Sequence, residues 1–203
     1  MPVNNSATGG FLAPSTDLPA EDGALDAVLQ ALIVGVVNLP GNLVRPRWQP
    51  KPPSVPDTNV DWCAIGVVDE EPEFNIALVH SGDGVGSSTS YDNDIVTVLT
   101  SFYGPTARGN AKRLRTGMMI AQNREKMFFT GLALMEIPGK SFFLPEVVNT
   151  QTLRRVDLSM RFRRRTALTW PILNLVEFQG ALISDAGPVN QMQTPSSLSP
   201  LKE

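Results

Sequence analysis

From Arg154 to Arg165 the chain reads RRVDLSMRFRRR, and its apolar residues keep strict step. Val156, Leu158, Met160 and Phe162 fall on even positions, while Arg155, Asp157, Ser159, Arg161, Arg163 and Arg165 fall on odd ones. A two-residue period is that of a strand buried on one side, so this segment is predicted to be a strand with a core face and a basic outer face. A helical period appears earlier. Leu25, Val28, Leu29, Leu32 and Val36 recur on one helical face, Asp22 stands where a cap belongs, and Pro40–Gly41 ends the run. A second helix is predicted over GPTARGNAKRLRTGMMIAQNREKMFF, with Pro105 in its first turn and an apolar stripe of Ala107, Ala111, Leu114, Met118 and Ala121. Arg108, Lys112 and Arg115 form a basic stripe about 100° from it, which is expected to be a solvated face.

The remaining apolar runs read as strands. NLVRPRWQP is a short extended piece that Pro46 confines to an edge or end, and DWCAIGVVD is rich in strand formers on both faces. YDNDIVTVLTSFYG, GLALMEI with a turn at Pro138–Gly139, and ILNLVEFQGALI complete the set. Between them, PKPPSVPD is too proline-rich for anything but a stiff loop, and residues 69–90 read as a long surface loop, acidic at its start and glycine-rich at its end. Residues 1–21 and 185–203 are expected to be flexible tails around a single domain, 22–184. The order of elements predicts an α+β fold, with two principal helices packed on a mainly antiparallel sheet.

Charge refines this picture. The net charge of the 203 residues is −3, which disfavours coating nucleic acid by bulk attraction. Positive charge is nonetheless concentrated: residues 1–44 hold no Lys or Arg, while 108–126 and 154–165 hold six each. On the outer face of the predicted arginine strand, Arg155, Arg161, Arg163 and Arg165 have only Asp157 to neutralise them. Arginine favours bidentate partners, and carboxylates of a neighbouring subunit or DNA phosphates both qualify. The acidic stretch Asp69, Glu70, Glu71 and Glu73 is the candidate source of such carboxylates.

Catalytic chemistry finds little support. His80, Ser81 and Asp83 supply the residue types of a hydrolytic triad, but adjacency in a glycine-rich loop does not hold them in triad geometry. That loop also lacks the Gly-Lys-Ser/Thr ending of a phosphate-binding loop. The DEEPE stretch lacks calcium-loop spacing, and Cys63, the one cysteine, rules out a disulfide framework and reads as a buried thiol in a protein of a reducing compartment. No enzyme activity, cofactor or metal is expected. ALDAVLQALIVGVVNL is interrupted and falls short of the ~20 residues of a membrane span, and the first basic residue is Arg45, so neither a membrane helix nor an export signal is expected.

Several segments in order resemble the phage neck or tail terminator protein family: LPGNLVRPRWQPKPP, DWCAIGV, SFYGPTARGNAKRLRTGMMIAQNREKM and PEVVNTQTLRRVDLSMRFRRR, in a resemblance that extends over roughly residues 39–178. Thr116, Thr152 and Val156 depart from residues frequent in that family, bearing on interface detail more than on fold. The resemblance implies a tail-terminator-like fold and a structural virion protein, assembled in the host cytoplasm. It implies a homohexameric ring on the head-proximal end of the tail tube, meeting the tube protein on one side and a head-completion or connector protein on the other. Such a ring surrounds DNA and can touch it non-specifically. A DNA-binding accessory protein and a tail completion or tube protein are the alternative readings.

Overall fold

The computed structural model describes residues 4–49, 51, 53–138, 141–148 and 151–175. Among them are three α-helices, α1 (Asp22–Val37), α2 (Ala107–Gly117) and α3 (Ala121–Phe128), and seven strands in one sheet. The strands are β1 (Val44–Pro46), β2 (Trp62–Pro72), β3 (Ala77–Ser81), β4 (Ser87–Tyr103), β5 (Leu132–Glu136), β6 (Phe142–Val148) and β7 (Gln151–Trp170). The order is β1-β2-β4-β7-β5, with β3 also on β4 and β6 also on β7. All pairs are antiparallel except β1 with β2, so the sheet is mixed and the fold is α+β.

The long antiparallel pair β4–β7 is the axis of the molecule, running in unbroken register from Ser88 opposite Trp170 to Tyr103 opposite Arg155. Even-numbered residues of both strands face the helices. Val96, Val98 and Phe102 of β4 and Val156, Leu158, Met160 and Phe162 of β7 are buried with Cys63 and Ile65 of β2 under α1 and α2. Alternation along β7 therefore sorts its side chains as the sequence predicts. Leu25, Leu29, Leu32, Ile33 and Val37 form the buried side of α1, and Asn38, with φ 63°, ends it by donating its backbone N–H to the Val34 carbonyl.

The single second helix predicted from the sequence is two. The chain breaks after Gly117, where the Gly117 carbonyl accepts from the Ile120 N–H and from the Asn123 side-chain amide. Ala121, placed by period on the apolar stripe, is consequently exposed. A second difference concerns residues 69–90. Asp69 to Pro72 continue β2 opposite Thr97 to Asp94, and Ala77–Ser81 pair with Tyr91 to Ser87 at the start of β4, because β4 is long enough to template both. β6, which carries no alternating signal of its own, forms along β7 in the same way.

At the N-terminal side, the segment expected as a tail hydrogen-bonds the far end of β7. Ser6 N–H donates to the Pro171 carbonyl, Ser15 N–H to the Thr169 carbonyl, and Thr169 N–H to the Thr16 hydroxyl. Of the strand expected over residues 172–183, the part to Leu175 is irregular and the rest lies outside the described residues, as do the expected tail 185–203 and Gly139 of the expected turn.

Candidate interaction face

The outer face of the sheet, away from the helices, gathers residues from four of the segments that carry the family resemblance. Trp62 and Tyr103 are opposite each other in register and stack, with ring centroids 3.9 Å apart and planes 5° from parallel. Arg45 of β1 lies over the Trp62 ring at 5.5 Å, and Arg155 of β7 over the Tyr103 ring at 5.7 Å. A cation–aromatic–aromatic–cation row thus crosses β1, β2, β4 and β7, an arrangement in which ring faces and guanidinium groups attract. Burial pushes the Tyr103 hydroxyl up to about 12, against the opposing pull of Arg155, so the ring stays neutral.

Each arginine of the predicted basic face has a partner in its own chain. Arg155 makes a two-pronged contact with Asp157, at 2.8 and 2.9 Å, and reaches Glu146 at 3.2 Å. Those bonds to Asp157 raise the affinity of the Arg155 guanidinium for its proton above the ordinary range, although burial opposes them. Arg161 donates to Glu136 at 2.9 Å and lies 3.7 Å from Glu71. Arg163 pairs with Glu73, and Arg165 lies 4.1 Å over the Tyr91 ring. The acidic stretch is brought to the arginines because the β2 register shifts between Val67 and Asp69, turning Asp69 and Glu71 toward the outer face. Arginines and carboxylates therefore interleave there, and two members of the acidic stretch, Glu71 and Glu73, are engaged within the chain.

One arginine stands apart. Arg164 continues the even register of β7, is 4% exposed, and donates to the Glu21 carboxylate at 2.7 Å and to the Ala20 carbonyl. Its paired position across the strands is Asp94. Burial and neighbouring acids, Asp94 for Glu70 and Asp92 for Asp94, push both carboxyls above their ordinary values, and Arg164 only partly offsets this. Extending the even–odd count two residues past Phe162 places Arg164 on the core face, the signal by which sequence finds it.

The triad-like residues are not assembled for catalysis. His80 contacts Ser88 at 2.9 Å and Asn174 at 2.8 Å through its two ring nitrogens, while the Ser81 hydroxyl donates to Asp83. Cys63 is fully buried, with its thiol pushed up by that burial. Among the described residues no group of three His, Cys, Asp or Glu is arranged to hold a metal ion, and no helix is long and apolar enough to cross a membrane.

This face thus combines interleaved charges with a buried pair of stacked rings. Residues 23–186 match the family model described as phage neck terminator protein, and the chain belongs to that family. The family is one of structural virion proteins of the phage tail and neck. No curated protein matches the chain.

Proposed function

We propose that the chain assembles as a closed ring, a homohexamer, at the head-proximal end of the tail tube. There it ends tube growth, joins the tail to head-completion or connector proteins, and surrounds the DNA channel. One observation carries this reading: two unlike apolar strips lie exposed on different strands at different ends of the sheet. Phe74, Ile76 and Leu78 lie in and just before β3, and Phe142, Phe143 and Val147 lie on β6. Exposed apolar patches of this kind mark contact surfaces, and two unlike patches on one chain favour head-to-tail contacts that close by rotation.

The paired state of Arg155, Arg161 and Arg163 bears on the rival reading as a DNA-binding accessory protein. Guanidinium groups already held by carboxylates have little left for phosphates. In the ring reading the face borders the channel or the adjoining subunit as a mixed-charge surface that lets DNA pass without gripping it. The native mass of the purified chain, measured by light scattering with electron microscopy of the same sample, tests the proposal. A self-limiting ring is expected. Open tubes would make it a tube protein, and a monomer whose binding to short duplex DNA falls steeply with salt would make it a DNA-binding module.

A further inference from the structure

With the strand arginines engaged inside their own chain, the unpaired cations are elsewhere. Arg108, Lys112 and Arg115 stand exposed on successive turns of α2, and none of them has a carboxylate within ion-pair distance among the described residues. Beside them β6 exposes more than half of Phe142 and of Phe143, and Arg108 lies 5.9 Å over the Phe143 ring. Helix and strand enclose a groove of two adjoining clefts, about 620 and about 550 Å³, which share Arg108 and Phe143. One wall is cationic and the floor is aromatic. Its natural ligand is an acidic segment bearing an exposed aromatic residue.

The chain itself carries such a segment. Asp69–Phe74 contains four carboxylates, and its last residue, Phe74, is 98% exposed. Arg161 and Arg163 hold Glu71 and Glu73, fixing the segment while Asp69 and Glu70 remain without an ion pair among the described residues. It cannot fold back into its own groove. Pro72 is in register with Asp94 and hence Arg164, whereas Phe143 is in register with Val156. From Val156 to Arg164 along β7 is roughly 26 Å at about 3.3 Å per residue.

We propose that the Asp69–Phe74 segment of one copy docks in the α2–β6 groove of the next, with Phe74 on Phe143 and the carboxylates of the segment along the stripe of Arg108, Lys112 and Arg115. This rests on the ring reading and names the contact that closes it. The two patches lie at opposite ends of the sheet, so each copy uses both and the contact propagates head to tail. Glu70, whose carboxyl is pushed up by burial and by Asp94 and only partly offset by Arg164, gains a second counter-charge there.

Two full-length variants test the contact, Arg108→Glu with Lys112→Glu, and Asp69→Lys with Glu70→Lys. All four positions are exposed, and circular dichroism of each variant checks that the fold is kept. Each variant alone is expected to lose the native mass of the wild-type ring. An equimolar mixture is expected to recover it, because every acidic segment again meets a basic groove in an alternating ring. A third variant, Phe74→Cys with Phe143→Cys, is expected to give a covalent ladder on mild oxidation, Cys63 being buried. A wild-type multimer with neither ladder nor mass change would overturn this contact while leaving the ring intact. A wild-type monomer at every concentration would remove the ring and the contact together. Binding of short duplex DNA that disappears in Arg108→Glu with Lys112→Glu would assign the groove to nucleic acid and overturn the proposal.

Discussion

Asp61 accepts two hydrogen bonds from Thr106, one from its backbone N–H at 2.8 Å and one from its hydroxyl at 2.6 Å. Thr106 is the residue that precedes α2, so an aspartate on the loop before β2 satisfies a helix N-terminus that has no cap from its own segment. Gly104 lets the chain turn between them with φ 104°, and a Cβ there would sit against the Asp61 carboxylate and the Val60 carbonyl. The Asp-Trp and Phe-Tyr-Gly-Pro elements are therefore one structural unit, stacked through Trp62 and Tyr103 and tied through Asp61 and Thr106. Asp61→Ala is expected to lower stability by about 1–2 kcal/mol, the usual range for losing a helix cap, whereas Asp61→Asn keeps most of it. Urea unfolding of the two variants at neutral pH makes the comparison.

α1 and α2 pack closely at Gly117, where an added Cβ would overlap Cγ1 of Val36. Both residues are partly buried and Val36 is β-branched, with little freedom to move aside. Gly117→Ala should thus cost about 1–3 kcal/mol, as overpacking does. Val36→Ala in the same chain should return part of it, and the non-additive sum in a double-mutant cycle is the diagnostic result. Additive losses would mean that the helices simply separate.

Much of this was legible in the sequence, for identifiable reasons. The core face of β7 follows from alternation alone, and α1 follows from its helical period and the stop expected at Pro40–Gly41, although the helix ends slightly earlier, at Asn38. The break after Gly117 was not legible, because Met118 and Ala121 keep the helical period across it while the chain actually turns through a local hydrogen bond to the Gly117 carbonyl. Residues 69–81 and β6 were hidden for another reason. Their strand character comes from pairing with β4 and β7 rather than from their own pattern, and tertiary context of this kind overrides local propensity. The basic face was legible as a face, but its partners were not, since only the β2 register shift shows that Glu71 and Glu73 come from the same chain.

Arg164 should be the least replaceable arginine of its cluster. It is buried, and its two acceptors, the Glu21 carboxylate and the Ala20 carbonyl, are served by separate nitrogens of one guanidinium. Arg164→Leu is expected to cost about 2–3 kcal/mol, since a charged hydrogen bond is lost and the acids around it are left without a cation. Arg164→Lys offers no fork and should recover less than half of that loss. Thermal unfolding ranks the three chains, and an equal Tm for wild type and Arg164→Lys would refute the two-acceptor account.

Around that arginine, stability should depend on pH with a definite sign. Asp94 has a carboxyl raised by burial first and then by Asp92, so the folded state holds the proton more tightly than the unfolded chain. A raised folded value contributes stability below the unfolded value and loses it as pH rises through the folded value. Asp94→Asn, neutral throughout, should therefore raise Tm at pH 7. The gain should shrink as pH falls through the raised folded value and be gone below the ordinary carboxyl value of about 4. A gain independent of pH would point to packing instead of charge.

Reversing the two outer arginines separates a role within the chain from a role between chains. Arg161→Glu with Arg163→Glu places new carboxylates beside Glu71, Glu136 and Glu73, the residues that now hold the arginines. All these groups are partly exposed, so each lost pair is worth only about 0.2–1 kcal/mol and the added repulsion is of similar size. A loss of about 1–2 kcal/mol in total is expected, visible in the unfolding of dilute chain at any oligomeric state. Adding Glu71→Arg, Glu73→Arg and Glu136→Arg should restore it, because each reversed position again faces a group of opposite charge. Restoration of stability accompanied by wild-type assembly would confine these arginines to holding the acidic segment in place. Restored stability without assembly would show that the arginine face also touches the next subunit.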